Sequence, residues 1–261
     1  RWHSTWAELL APDAIHERAQ TCYRRAMHLV AAEAWGDALD AIFVAVKALM
    51  RVSDFGTSRR LMDLHADCLA RLELPEDSPH RGMNWALNAA VRRMVGDYKR
   101  AEALADRVIE RARELGDPWR DARLEAGVDL ASIYIQQGRH DEVIGLLEDL
   151  AEEFGELSRP AKRADALQRL GWTLSRIGKH DRAEPVIEQA LELYESVDND
   201  RGVGWCQFSL AGSLRQRGEL QRAKQLLESA SANFAATGDR VGEAEGINGL
   251  AEIQRQRGEF D

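Results

Sequence analysis

The chain has 261 residues, room by length for one large domain or two small ones, and 44% of them are apolar against 30% charged, the balance of a soluble protein. Its 35 Lys and Arg against 44 Asp and Glu leave a net charge of −9, which disfavours the clustered cationic surface that nucleic acid requires. The longest apolar run, Ala41 to Val46, is far short of the roughly 20 residues of a membrane span, and nothing at the N-terminus reads as a signal peptide.

Apolar periodicity and break signals predict helices over 13–34, 37–53, 57–73, 81–95, 97–115 and 118–137. They continue over 139–154, 159–177, 179–197, 201–217, 219–236 and 240–257. The pairs Gly36-Asp37, Gly96-Asp97, Gly138-Arg139, Gly178-Lys179, Gly218-Glu219 and Gly258-Glu259 punctuate them, and the last four are spaced by about 40 residues. Flanking positions keep the same register. Leu130, Leu170, Leu210 and Leu250 precede the glycine by eight residues, and Ala89, Ala131, Gly171, Ala211 and Ala251 precede it by seven. Ala41, Ala101, Val143, Ala183 and Ala223 follow by five, and Ala48, Val108, Leu150, Ala190 and Ala230 by twelve.

These offsets have a physical meaning. Small residues at one turn of each helix allow a close crossing, and Leu or Ile at neighbouring turns fill the space around it. The glycine between them is expected to take the backbone angles that end a helix. Asp37, Asp97, Asp141, Asp181 and Glu219 then fall in the first turn of the next helix, where a carboxylate meets the helix dipole favourably. A second break recurs as Gly116-Asp117-Pro118, Ser158-Arg159-Pro160, Asn199-Asp200-Arg201 and Gly238-Asp239-Arg240. Each unit is therefore helix, tight turn, helix, short turn.

The stretch Ala166-Leu-Gln-Arg-Leu-Gly-Trp-Thr-Leu-Ser-Arg-Ile-Gly-Lys-His-Asp-Arg-Ala183, continuing to Ala190, resembles a tetratricopeptide repeat of the longer, roughly 40-residue type. Asp239-Arg-Val-Gly-Glu-Ala-Glu-Gly-Ile-Asn-Gly-Leu-Ala251 is similar to the usual opening of its first helix. The resemblance implies an all-α, right-handed solenoid of antiparallel helical hairpins. It covers 81–261, with the last repeat truncated, and leaves 1–80 as a degenerate N-terminal capping region. In that region His28 stands where Leu is expected, as Asn88 does in the first repeat, and the helix 57–73 has no repeat partner. Comparable arrays are attached to bacterial regulatory ATPases of the maltose-regulator type, to bacterial Ser/Thr kinases and to cell-polarity adaptors. Because the chain starts at Arg1 and Arg257-Gly-Glu-Phe-Asp261 opens a second helix, it reads as a fragment of a longer protein.

No phosphate loop, His-Glu-x-x-His, paired Cys-x-x-Cys or Gly-x-Ser-x-Gly occurs. His140-Asp141 and His180-Asp181 imitate a metal-hydrolase pair, but they occupy one repeat position twice, which a turn residue and a helix-opening Asp explain. His65 and Cys68 lie one helical turn apart, yet zinc takes three or four ligands, and helix packing is the simpler reading. Gly202-Val-Gly204 opens a helix with no strand before it, unlike a dinucleotide site. Cys22, Cys68 and Cys206 are odd in number and widely spaced, which fits a reducing cytoplasm. The expectation is a non-catalytic chain without cofactor or metal.

What remains is a surface. The first helix of each hairpin lines the concave side of a stacked array, a groove suited to a peptide. Helical spacing puts Gln168, Trp172 and Arg176 on one stripe, Phe208 and Arg215 on the next, and Asn248, Glu252 and Arg255 on the last. Val128, Ser132, Ile135 and Gln136 lie similarly in the preceding repeat. Trp172 and Phe208 fit either packing between repeats or the groove, and the three Arg fit either a cationic ladder or pairs with neighbours such as Glu252. The function expected is a protein-interaction scaffold, one module of a bacterial, cytoplasmic signalling or regulatory protein. Its partner would be a protein or peptide, acidic with apolar anchors, rather than nucleic acid or membrane, and self-association is a further possibility. The alternative is a ligand-sensing domain that controls an attached kinase, cyclase or transcription regulator.

Overall fold

A computed structural model describes residues 15–258. The predicted helix start at 13 and 14, and the last three residues of the chain, lie outside them. The described residues form twelve α-helices and no strand. They are α1 (Ile15–Ala31), α2 (Trp35–Arg51), α3 (Phe55–Arg71), α4 (Pro79–Met94), α5 (Tyr98–Leu115) and α6 (Arg120–Gln137). Then follow α7 (His140–Glu156), α8 (Pro160–Arg176), α9 (His180–Glu195), α10 (Asp200–Gln216), α11 (Leu220–Thr237) and α12 (Arg240–Arg257). Asp117–Trp119 adds a single 3-10 turn before α6.

One device closes nearly every helix. A residue with positive φ stands at Glu33, Ser53, Glu73, Gly96, Gly116, Gly138, Ser158, Gly178, Asp198, Gly218, Gly238 and Gly258, so the left-handed position recurs about every 20 residues. The expected helix-ending glycine is therefore correct from Gly96 onward and wrong at Gly36. There α2 has already begun at Trp35, and Glu33 makes the turn instead. Leucines and alanines of the neighbouring helices bury their side chains on both sides of the break, and that packing overrides glycine's preference to end a helix.

The described residues divide into two compact units, 15–133 and 134–258. In the first, α1 and α2 form a hairpin, and α3 packs against both α2 and α4. Its core gathers Ala26, Ile42, Val46, Leu49, Leu61, Met62 and Leu69. Inside this apolar set sits a polar island. His65 is fully buried and stacks on Phe43 with ring centroids 4.2 Å apart, while the Asn84 amide lies 3.1 Å from its Nδ1. Trp119 is also fully buried, packs edge-on to Trp85 and donates from Nε1 to the Asp77 carbonyl at 2.6 Å.

In the second unit α8–α9 and α10–α11 are antiparallel hairpins, and α12 packs on α11 and α10. The close crossings follow the sequence register. A Cβ on Gly171 would lie 2.3 Å from the Ile187 side chain, so α8 and α9 meet with no room for one. Aromatic residues at the ends of second helices press on glycines of the next first helix. A Cβ on Gly202 would come within 2.4 Å of Tyr194, and one on Gly242 within 2.4 Å of Phe234. This close approach gives Gly202 a packing role. Among the described residues no helix follows α12, and Val241 and Ile247 are each 65% exposed.

Candidate functional groove

Helices α8, α10 and α12 stand side by side as the first helices of successive hairpins. Where α8 faces α10, Ser175 and Ser213 share a hydrogen bond of 2.8 Å, and Gln168 donates to the Ser209 hydroxyl at 3.3 Å. Small hydroxyls at these points hold the first helices together without filling the surface above. Asp239 fixes α12 to α10. It caps the Gly242 amide and accepts from Trp205 Nε1 at 2.9 Å and Arg201 Nε at 2.6 Å. Burial pushes the Asp239 pKa up, but those three donors and the Arg201 charge outweigh it and hold the carboxyl below its ordinary range.

Between the three helices lies a concave site of about 290 Å³. Trp172 and Arg176 enter it from α8, Phe208 and Arg215 from α10, and Asn248 and Glu252 from α12. Six of the eight groove residues expected from sequence are thus brought together. The other two stand outside it: Gln168 is spent on Ser209, and Arg255 is exposed and clasps Glu252. Val128, Ser132, Ile135 and Gln136 of α6 do not line it.

The rings serve two masters. Phe208 packs on the apolar cluster of Ala211, Leu214, Leu227 and Ile253 while its face lines the cavity. Trp172 is half-buried and carries the Arg176 guanidinium 4.7 Å from its ring centroid. Sequence reasoning missed what makes the site hollow. Ser175, Ser209, Gly212 and Gly249 line it with almost no side-chain volume, and a Cβ on Gly212 would meet nothing within 4 Å. The available signal was a run of small residues on α10, Ser209, Ala211, Gly212 and Ser213, longer than a close crossing alone needs.

The charges do not form a ladder. Glu252 Oε1 accepts from Arg255 at 2.5 Å and lies 3.4 Å from Arg215, and its Oε2 accepts from Arg255 Nε at 2.8 Å. The Arg255 hydrogen bonds and charge, with Gln256 and Arg215 behind them, hold the Glu252 carboxyl below the usual carboxylate range. The site is charge-balanced, with Arg176 and Arg215 facing Glu245 and Glu252. Among the described residues no group of three or more His, Cys, Asp or Glu side chains is placed to hold a metal ion. No described helix is long and apolar enough to cross a membrane.

Comparison with known proteins agrees with this architecture. Residues 126–196 match the tetratricopeptide repeat family model. No curated protein matches the chain. Among solved structures it is similar to BtubC from P. vanneervenii at 19% identity, over 87% of this chain and 93% of that one, with a TM-score of 0.66. It is similar to a Rap protein complexed with Competence and Sporulation Factor at 16% identity, over 95% and 77%, with a TM-score of 0.58. A Signal Transduction ATPase with Numerous Domains from Pyrococcus horikoshii, which carries a tetratricopeptide repeat sensor, matches at 14% identity, over 97% and 41%, with a TM-score of 0.61. Residues 126–196 thus match a tetratricopeptide repeat, and the chain has an all-α fold of the helical-repeat solenoid class, the fold its solved neighbours share.

Proposed function

We propose that the chain is a non-catalytic protein-interaction module of a larger bacterial, cytoplasmic signalling or regulatory protein. Residues 81–261 form its binding array, and 1–80 cap the array. The ligand is a protein or peptide segment laid across α8, α10 and α12, with an apolar anchor between Trp172 and Phe208 and a carboxylate at Arg176. The observation that carries this reading is the hollow between those helices, about 290 Å³, floored by small residues and walled by two half-buried rings. Such a space on a helical array suits a side chain from a partner. The Rap protein of similar fold was solved with a bound factor, which supports a ligand on this kind of scaffold. The net charge of −9 speaks against nucleic acid and against anionic membrane surfaces.

The test fills the hollow. Gly212→Leu places a side chain where a Cβ meets nothing, so the fold should tolerate it. Capture of partners from the native lysate should be lost while the melting temperature stays within about 2 °C, a shift worth at most about 1 kcal/mol. Full capture by the filled variant would move the binding surface elsewhere.

A further inference from the structure

The geometry points to a partner segment of mixed charge, an extended peptide with an acidic residue over α8 and a basic residue over α12. This rests on the groove reading above and specifies what that groove selects. Four charged side chains line the site, and they are not equivalent. Arg215 and Glu252 face each other at 3.4 Å, and Arg255 closes the other side of the Glu252 carboxylate. A ligand charge placed there would have to break an existing pair. Arg176 is different: it is exposed, stacks on Trp172, and has no ion-pair partner among the described residues. Glu245 is exposed at the opposite wall, and no described residue pairs with it either. The site therefore presents an available cation at one end, an available carboxylate at the other and a neutralised middle.

The complement of that pattern is dipolar. Helices α8 and α12 are separated by α10, so their axes lie two packing distances apart, about 16–20 Å. An extended chain advances about 3.3 Å per residue, so the acidic and basic residues of the ligand stand at least five or six positions apart. Between them an apolar side chain enters the space left by Gly212, against Trp172 and Phe208. Chain direction is left open by this pattern, since a segment running either way can present both charges. A doubly acidic segment satisfies Arg176 and is repelled by Glu245; a doubly basic one meets the reverse. Selectivity arises from that repulsion as much as from attraction.

The experiment uses three fluorescein-labelled peptides, read by anisotropy at low salt. Each carries a Gly-Gly spacer, a charged residue, the core Ala-Leu-Ala-Phe-Ala and a second charged residue. The charged positions are Glu and Lys in the first, Glu and Glu in the second, Lys and Lys in the third. The native chain should bind the mixed peptide about three- to five-fold more tightly than either other, as one exposed charge pair is worth. The gap should close in about 0.5 M salt. Glu245→Lys should shift the preference to the doubly acidic peptide, and Arg176→Glu to the doubly basic one. A native preference for the doubly acidic peptide, or no change of preference in Glu245→Lys, overturns the inference and leaves the groove standing. Binding that Gly212→Leu does not weaken, or no binding of any peptide, overturns the groove itself and this inference with it.

Discussion

His65 shows how one buried residue couples this fold to pH. Burial, with the nearby His80 charge adding to it, pushes the His65 pKa down from 6.5 to about 3. The folded chain therefore keeps the ring neutral, whereas the unfolded chain binds a proton once the pH falls below about 6.5. The stabilisation is complete above that value and is lost progressively between pH 6.5 and 3, at no more than about 1.4 kcal/mol per pH unit. His65→Gln keeps an acceptor for Asn84 and removes the titration. Urea unfolding at pH 7.5, 6.5 and 5.5 should show a steeper loss for the native chain than for the variant. Superimposable pH profiles would mean that the island is not buried as described. The turn glycines act at the same scale through backbone angles. Gly178 has φ of 78°, so Gly178→Ala should cost about 1 kcal/mol. Gly145 lies inside α7, and a Cβ there would meet nothing within 4 Å, so Gly145→Ala should stabilise by about 0.5–1 kcal/mol. Chemical denaturation of the two variants should move in opposite directions.

Between elements, the α8–α9 crossing at Gly171 leaves no room for a side chain. Any side chain at Gly171 runs into Ile187 and the Ala183 carbonyl, so Gly171→Leu should cost on the order of 1–3 kcal/mol. Gln221→Leu, on the exposed start of α11, should be nearly neutral. Equal melting temperatures for the two would break the register. That register could be read from the sequence because a small residue at a crossing repeats with the unit. Gly171 and Ala211 announce their neighbours by their spacing, and both are buried. The start of α2 could not be read in the same way. Gly36 carries the break signal, but Glu33, a residue with no such signature, adopts the left-handed turn. The site was half readable for a related reason. Large residues such as Trp172 and Phe208 stand out on a helical stripe, whereas a cavity consists of atoms that are missing. Its depth depends on Gly212 and Gly249, which look like ordinary packing glycines. Nor does spacing reveal that Arg255 turns to Glu252 and away from the groove, since a side chain of that length chooses its partner only once the next turn is in place.

At the scale of the molecule, an array is held by neighbours, so stability should follow how many faces of a helix are covered. In the second unit α8 is packed by α7, α9 and α10, while α12, among the described residues, packs chiefly on α11 and α10. The repeat positions make the contrast specific. Gly171 and Ala211 are buried against their own second helices, but Ala251, at the equivalent place in α12, is exposed, as are Val241 and Ile247 on the same helix. What ties α12 down is the Asp239 cap with Trp205 and Arg201 at its start, and Ile253 in the cluster with Leu214 and Leu227 near its end. Local opening draws on regions with few buried apolar contacts, so α12 should open at lower free energy than α8 or α9. Native-state hydrogen exchange followed by mass spectrometry measures this directly. Peptides from α12 should exchange first within residues 134–258, and those from α8 and α9 last. Asp239→Ala should widen the difference, because it removes both the cap and the two side-chain tethers at once, a loss of about 1–3 kcal/mol. The consequence reaches the groove, for α12 supplies Glu245, Asn248 and Glu252 to one wall. A peptide seated there would bind the ordered helix better than the opened one, so saturating peptide should slow exchange in α12 more than in α8. Equal protection of α8 and α12 in the free chain would show that the exposed face is no weakness, and that the wall is preformed.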